Sequence, residues 1–175
     1  MKKTDFLKDC MADAVVGLLK THRPEEITAA MIAERAGVGR ATWFRHFSSK
    51  EEAVSFKLQE LWYEWVEQNS ASGADLTTLE RADLVFRFFY QYKDLHLLLI
   101  SRGMNQAIYH AFFNIIIPPV PADSFIRYDT IFYMNGLYGL VMEWLKTGLQ
   151  ESPKEMSAAM HRIFAAGYMN QSSDV

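Results

Sequence analysis

Cysteine is almost missing from this chain: Cys10 is the only one in 175 residues. That excludes a disulfide framework and any cysteine-based zinc or iron–sulfur site, and it makes a reducing cytoplasm the expected compartment. Five prolines and nine glycines are too few for a collagen-like or linker-like chain. Long apolar runs are missing too. The most apolar stretch, residues 131–145, contains Asn135 and Glu143 and falls short of the roughly 20 residues that a bilayer requires, so no membrane partner is expected. Near the amino end, Asp5, Asp9 and Asp13 interrupt what a secretion signal would keep apolar, and no signal peptide is expected. The glycine-rich and nucleophile motifs G-x-G-x-x-G, G-x-x-x-x-G-K-[ST] and G-x-S-x-G are absent. The histidines, at 22, 46, 96, 110 and 161, are too scattered for a helical metal pair. No metal, no cofactor and no catalytic residues are expected, and the chain does not read as an enzyme.

What is present is a packed, helical protein. Half of the chain is hydrophobic by composition and 14% is aromatic, enough to bury a real core. The length suits one domain, or a small module on a larger one. Two asymmetries favour the second arrangement. Residues 1–50 carry a balance of +3 and the remainder a balance of −6, for a net charge of −3. Phe6, Trp43, Phe44 and Phe47 are the only aromatics in the first 55 residues, and the rest of the aromatics follow. A basic front on an acidic, aromatic body is the pattern of a nucleic-acid-binding head on another kind of domain. The change falls near Ser48-Ser49-Lys50, so a head over residues 1–48 and a body over 49–175 are expected.

The apolar spacing is helical throughout, with no strand signal of useful length and no repeat. Phe6, Leu7, Cys10, Met11, Ala14, Val15, Leu18 and Leu19 form one amphipathic stripe, ended at His22-Arg23-Pro24. Cys10 lies on this stripe and reads as a small buried hydrophobe. Thr28 is an N-cap for a second helix, which Gly37 stops. A third short helix follows to His46. Ser49 with Glu52 forms a capping-box pattern opening a fourth, which carries Val54, Leu58, Leu61, Trp62 and Trp65. Thr77 with Glu80 is a second such pattern, and Asp94 is a cap for a segment over 95–101. Residues 104–117 read as helix, and the Pro118-Pro119-Val120-Pro121 run breaks it. A long helix over about 123–147 ends at Gly148, and Ser152-Pro153-Lys154-Glu155 opens a last helix. The fold class is therefore all-α, with about nine helices.

The segment from Thr28 to Phe47 is the sharpest feature. Two short helices join at Gly37-Val38-Gly39, Ala33 lies where they must approach closely, and Val38, Trp43 and Phe47 can anchor the second helix. That is a helix-turn-helix, whose second helix enters a DNA major groove. Arg40 and Phe44 are four residues apart and share a face opposite Trp43 and Phe47. Arginine is the commonest bidentate reader of guanine, Arg45 adds positive charge, and Lys50 stands beside free backbone N–H groups in the first turn of a helix.

The run Ala36-Gly37-Val38-Gly39-Arg40-Ala41-Thr42-Trp43-Phe44-Arg45-His46-Phe47, preceded by Ile27-Thr28 and Ile32-Ala33 and followed by Ser49-Lys50-Glu51-Glu52, resembles the head of the tetracycline-repressor (TetR-type) family. The resemblance covers about fifty residues. It implies that Arg40, Ala41 and Thr42 touch base edges, with Gly39 and Arg45 beside them. It also implies that Phe44, His46 and Lys50 touch the phosphate backbone, and that Thr28 caps a helix whose N-terminus points at a phosphate. The chain departs from the family pattern at two positions. Phe44 stands where many relatives carry tyrosine, which removes a phosphate hydrogen bond, and Ala29 stands where many carry a hydroxyl residue.

For the body, two readings of the aromatic residues stand side by side: core packing at helical spacing, or the lining of a cavity with a few polar groups. The candidate ligand-binding residues are Trp62, Trp65, Phe89, Tyr92, His96, Tyr109, His110, Phe113 and Tyr138, with Tyr63 and Asn105 as further polar groups. The acidic body favours a neutral or cationic effector. Gly136 and Gly139 sit inside the long helix, where glycine costs about 1 kcal/mol relative to alanine, and so suggest close approach of another helix. Together with Met156, Ala159, Met160, Ile163 and Phe164 they are the candidate interface of a symmetric homodimer. The resemblance implies a homodimeric transcriptional regulator, expected to be a repressor that a small-molecule effector releases from a palindromic double-stranded DNA operator. An activator or co-activator of the same fold is the alternative, as is a small-molecule-binding protein whose head no longer binds DNA.

Overall fold

The structure is a computed structural model and describes residues 3–69, 78–116 and 124–169. Among them there are nine α-helices, one 3-10 turn and no strand, as the helical spacing predicts. The chain divides into two compact units, one of residues 1–64 and 94–115, the other of residues 65–93 and 116–175.

The first unit opens with α1 (Lys3–Leu19), followed by α2 (Ala29–Ala36), α3 (Arg40–His46) and α4 (Lys50–Asn69), the last of which runs on beyond it. It also holds α6 (Lys93–Ser101) and α7 (Asn105–Ile116). The apolar stripe of α1 is its inner face: Met11, Ala14, Val15, Leu18 and Leu19 are buried. Cys10, on the same stripe, is only half-buried. Ile32 and Ala33 of α2, Trp43 of α3, Val54 and Leu58 of α4, and Ile108 and Phe112 of α7 complete this core.

Lys57 of α4 clasps α1, its ammonium lying 2.7 Å from Asp9 and 2.8 Å from Asp13. Burial alone works against this ammonium. The hydrogen bonds to Asp13 and Asp9 outweigh it, so its pKa lies above the ordinary lysine value. Between α6 and α7, Gly103 takes a left-handed φ of 73° and Met104 donates back to Leu99 O at 2.9 Å, a tight helix stop that glycine permits at little cost.

The second unit is built on α5 (Thr78–Gln91), which packs against both α8 (Ser124–Lys146) and α9 (Pro153–Met169). Phe86 of α5 meets Trp144 of α8 edge-on, with centroids 5.8 Å apart. Ser157 of α9 donates to Asp83 of α5 at 3.0 Å. Burial pushes the Tyr133 phenol up to about 12. Gly148 ends the long helix region at φ 88°. Ser152 and Glu155 then cap α9 reciprocally: Glu155 N donates to Ser152 Oγ, and Ser152 N and Oγ donate to the Glu155 carboxylate.

Two expected caps differ. Glu52 N does donate to Ser49 Oγ at 3.0 Å, but the Glu52 carboxylate returns to Ser48, accepting from its N at 2.7 Å and its Oγ at 2.6 Å. Ser48 thus supplies the donors, and they hold Glu52 below the usual carboxylate range. Asp94 does not precede its helix: α6 already begins at Lys93, which puts Asp94 in the first turn, where a carboxylate suits the helix dipole. The pattern expected at Thr77 and the tail over 170–175 lie outside the described residues.

Candidate nucleic-acid interface

The helix-turn-helix is assembled from short-range signals. The Thr28 hydroxyl accepts from Met31 N at 3.3 Å, capping α2. Gly37 follows α2 at φ 67°, a conformation that costs other residues about 1–2 kcal/mol. Val38 N then donates to Ala33 O at 2.9 Å. Gly39 caps α3 in an extended conformation, its carbonyl accepting from Thr42 N. Trp43 and Phe47 anchor α3 as expected: both are buried, their rings are 5.3 Å apart, and Phe47 meets Phe56 of α4 at 5.8 Å. Val38 is only half-buried, so it is a lesser anchor than they are.

With Trp43 turned inward, the rest of α3 is left outward. Arg40, Ala41, Phe44 and Arg45 are exposed, Phe44 by 64%, while Thr42 and His46 are half-buried. Thr28 and Gly39 are also exposed. The outward face thus offers two guanidinium groups, a methyl side chain and an unencumbered ring, on a helix fixed from behind.

Lys50 is half-buried and engaged within the chain. Its ammonium donates to Pro24 O and, at 3.2 Å, to Ile27 O. It thereby brackets the start of α4 and the segment leading into α2.

The chain matches two family models. Residues 13–54 match bacterial regulatory proteins of the tetR family, and residues 77–165 match a transcriptional regulator C-terminal region. The second match alone covers half of the chain. The chain belongs to the tetR family. It is thus a DNA-binding transcription regulator and not an enzyme. No curated protein matches it. Among the described residues of this tetR-family chain, no helix is long and apolar enough to cross a membrane, and no group of side chains could hold a metal ion.

The candidate ligand residues fall into both units. In the first, Trp62 and His96 are buried, Tyr109 and Phe113 are half-buried with rings 4.3 Å apart, and His110 is exposed. His110 lines an open cleft of about 440 Å³ together with Lys8, Phe47, Glu52, Phe56 and Asn114. In the second, Trp65 and Phe89 are buried, and Tyr92 and Tyr138 are half-buried. Phe88 joins this group, 5.8 Å from Trp65 and 4.8 Å from Tyr92, and the Trp65 indole donates to Gln91 at 2.7 Å. Tyr63 and Asn105 are exposed.

The candidate dimer residues divide by burial. Met156 and Met160 lie in the core of their own unit, Ala159 is half-buried, Ile163 is exposed, and the side chain of Phe164 lies outside the described residues. Gly136 and Gly139 are exposed, and a Cβ at either would meet nothing within 4 Å. No helix of the described chain approaches them. They instead continue a strip of α8 on which Tyr128, Ile131 and Phe132 stand exposed, Phe132 by 81%. Composition gives no hint of this strip. Spacing does, because 128, 132, 136 and 139 fall on one helix face.

Proposed function

We propose that this tetR-family regulator is a homodimeric repressor that reads a palindromic operator through α3 and releases it when a small molecule binds the body. The observation that carries the reading is the outward face of α3: Arg40, Phe44 and Arg45 are exposed on a helix whose inner residues, Trp43 and Phe47, are locked in the core. Buried anchors fix the helix and leave its polar and apolar groups free for base edges. Ala41 and Thr42 lie beside Arg40 on the same helix, and Gly39, His46 and Thr28 flank it.

The exposed strip on α8, with Gly136 and Gly139 open and Ile131 and Phe132 apolar, suits a two-fold contact in which a second copy lies close. Such a dimer sets two recognition helices about 34–36 Å apart. The aromatic groups around Trp62, His96 and Tyr109 and around Trp65, Phe89, Tyr92 and Tyr138 supply candidate effector contacts. Effector and operator favour different head separations and so exclude each other.

The test is selection of random duplex DNA by the purified full-length chain, with a high-salt wash as control. The expected result is a palindrome with one dominant spacing, bound with a steep salt dependence. A well-folded chain that recovers no duplex overturns the repressor reading in favour of a protein that binds small molecules or protein partners.

A further inference from the structure

Phe44 is the one aromatic side chain that α3 presents to solvent, 64% exposed, next to the buried Trp43. A lone exposed hydrophobe is ordinary on a protein surface. The setting of this one is not. It lies one helical turn after Arg40, on the same face, and it is flanked by the short Ala41 and by Arg45, both exposed. Its ring meets no other aromatic ring among the described residues, and it carries no group that could hydrogen-bond a phosphate.

In a major groove an apolar ring finds one matching feature, the C5-methyl of thymine. Four residues of α-helix span about 6 Å, close to two base steps of about 3.4 Å. We propose that Phe44 specifies thymine by packing on its C5-methyl, within about two base pairs of the guanine that Arg40 reads. The inference rests on the docking of α3 in the groove proposed above. It gives the expected half-site a composition: a guanine and a thymine close together.

Replacing a thymine by deoxyuridine tests this atom by atom, because it deletes the methyl and leaves every hydrogen-bonding group in place. On the selected operator, the wild-type full-length chain is expected to lose about fourfold in affinity for one substituted half-site and about fifteenfold for both, the worth of burying a methyl group. Phe44→Ala, at an exposed position and so expected to fold, should bind the thymine and uracil duplexes alike, at the weaker level.

The proposal is overturned if uracil at every thymine of the half-site leaves wild-type affinity unchanged. It is also overturned if Phe44→Ala weakens binding while keeping the full thymine-over-uracil preference. Recovery of no duplex by the wild-type chain overturns the docking, and this inference with it. That failure is distinct, because no methyl comparison is then reached.

Discussion

Arg102 donates from Nε to the carbonyl oxygen of Leu19 at 2.8 Å, and from a terminal nitrogen to Lys20 O at 3.3 Å. A side chain from the turn between α6 and α7 thus closes the carboxyl end of α1, where backbone carbonyls lack helical partners and a cation suits the dipole. Arg102→Ala is expected to lower stability by about 1–2 kcal/mol. At about 2–4 °C per kcal/mol for a chain of this size, that is a fall of several degrees in a thermal melt. Arg102→Lys should recover part of it.

Lys50→Met separates a bracket from a phosphate ligand. Losing the bonds to Pro24 O and Ile27 O should cost about 1–2 kcal/mol in a melt. Removing a phosphate contact from both protomers of the proposed dimer would also flatten the slope of log affinity against log salt by about 1.8. The geometry predicts a lower melting temperature with an unchanged salt slope.

Stability should fall at both ends of the pH range through different residues. Glu52 and Glu155 are held below the usual carboxylate range by hydrogen bonds from Ser48 and Ser152. Their contribution is present above the unfolded carboxylate value and is lost as pH drops through the lower folded value. Lys57 and Tyr133 are raised, so their contribution is present below the unfolded values and is lost as pH climbs through the folded ones, for Tyr133 between 10 and about 12. Denaturant melts across pH check this: Glu52→Gln should flatten only the acid limb, and Tyr133→Phe only the alkaline one.

Gly17 lies inside α1 with the Arg35 guanidinium against it; a Cβ there would stand 2.6 Å from Arg35 Nη2. The obstructing group is the mobile end of an exposed side chain, so it can move aside. Gly17→Ala should therefore stabilise the chain by up to about 1 kcal/mol through helix propensity. Combined with Arg35→Ala the gain should be full, which thermal melts of the single and double variants measure.

The helix-turn-helix was legible because its signals are local. Thr28 as a cap, Gly37 at positive φ, and Trp43 with Phe47 at helical spacing all act within a few residues, and the structure uses each of them. Contacts distant in sequence were not legible. Nothing near Lys50 says that its ammonium turns back to Pro24 and Ile27, and nothing near Arg102 points to Leu19. Ser48 and Ser49 show the limit of local reading: either serine can serve Glu52, and only the backbone path decides between them. Met156 and Met160 carry the same apolar signal whether they face a core or a partner. Gly136 and Gly139 mark close approach without saying of what, and within the described chain a Cβ at either would meet nothing within 4 Å.

The strip on α8 bears on how this chain is handled at the bench. In the proposed dimer, with a second copy over Ile131, Phe132, Gly136 and Gly139, folding and association would share one free energy, and the melting midpoint would climb with protein concentration. Dilution then acts like a destabilising mutation, so two variants compared at unequal concentrations would differ even if their chains were equally well packed.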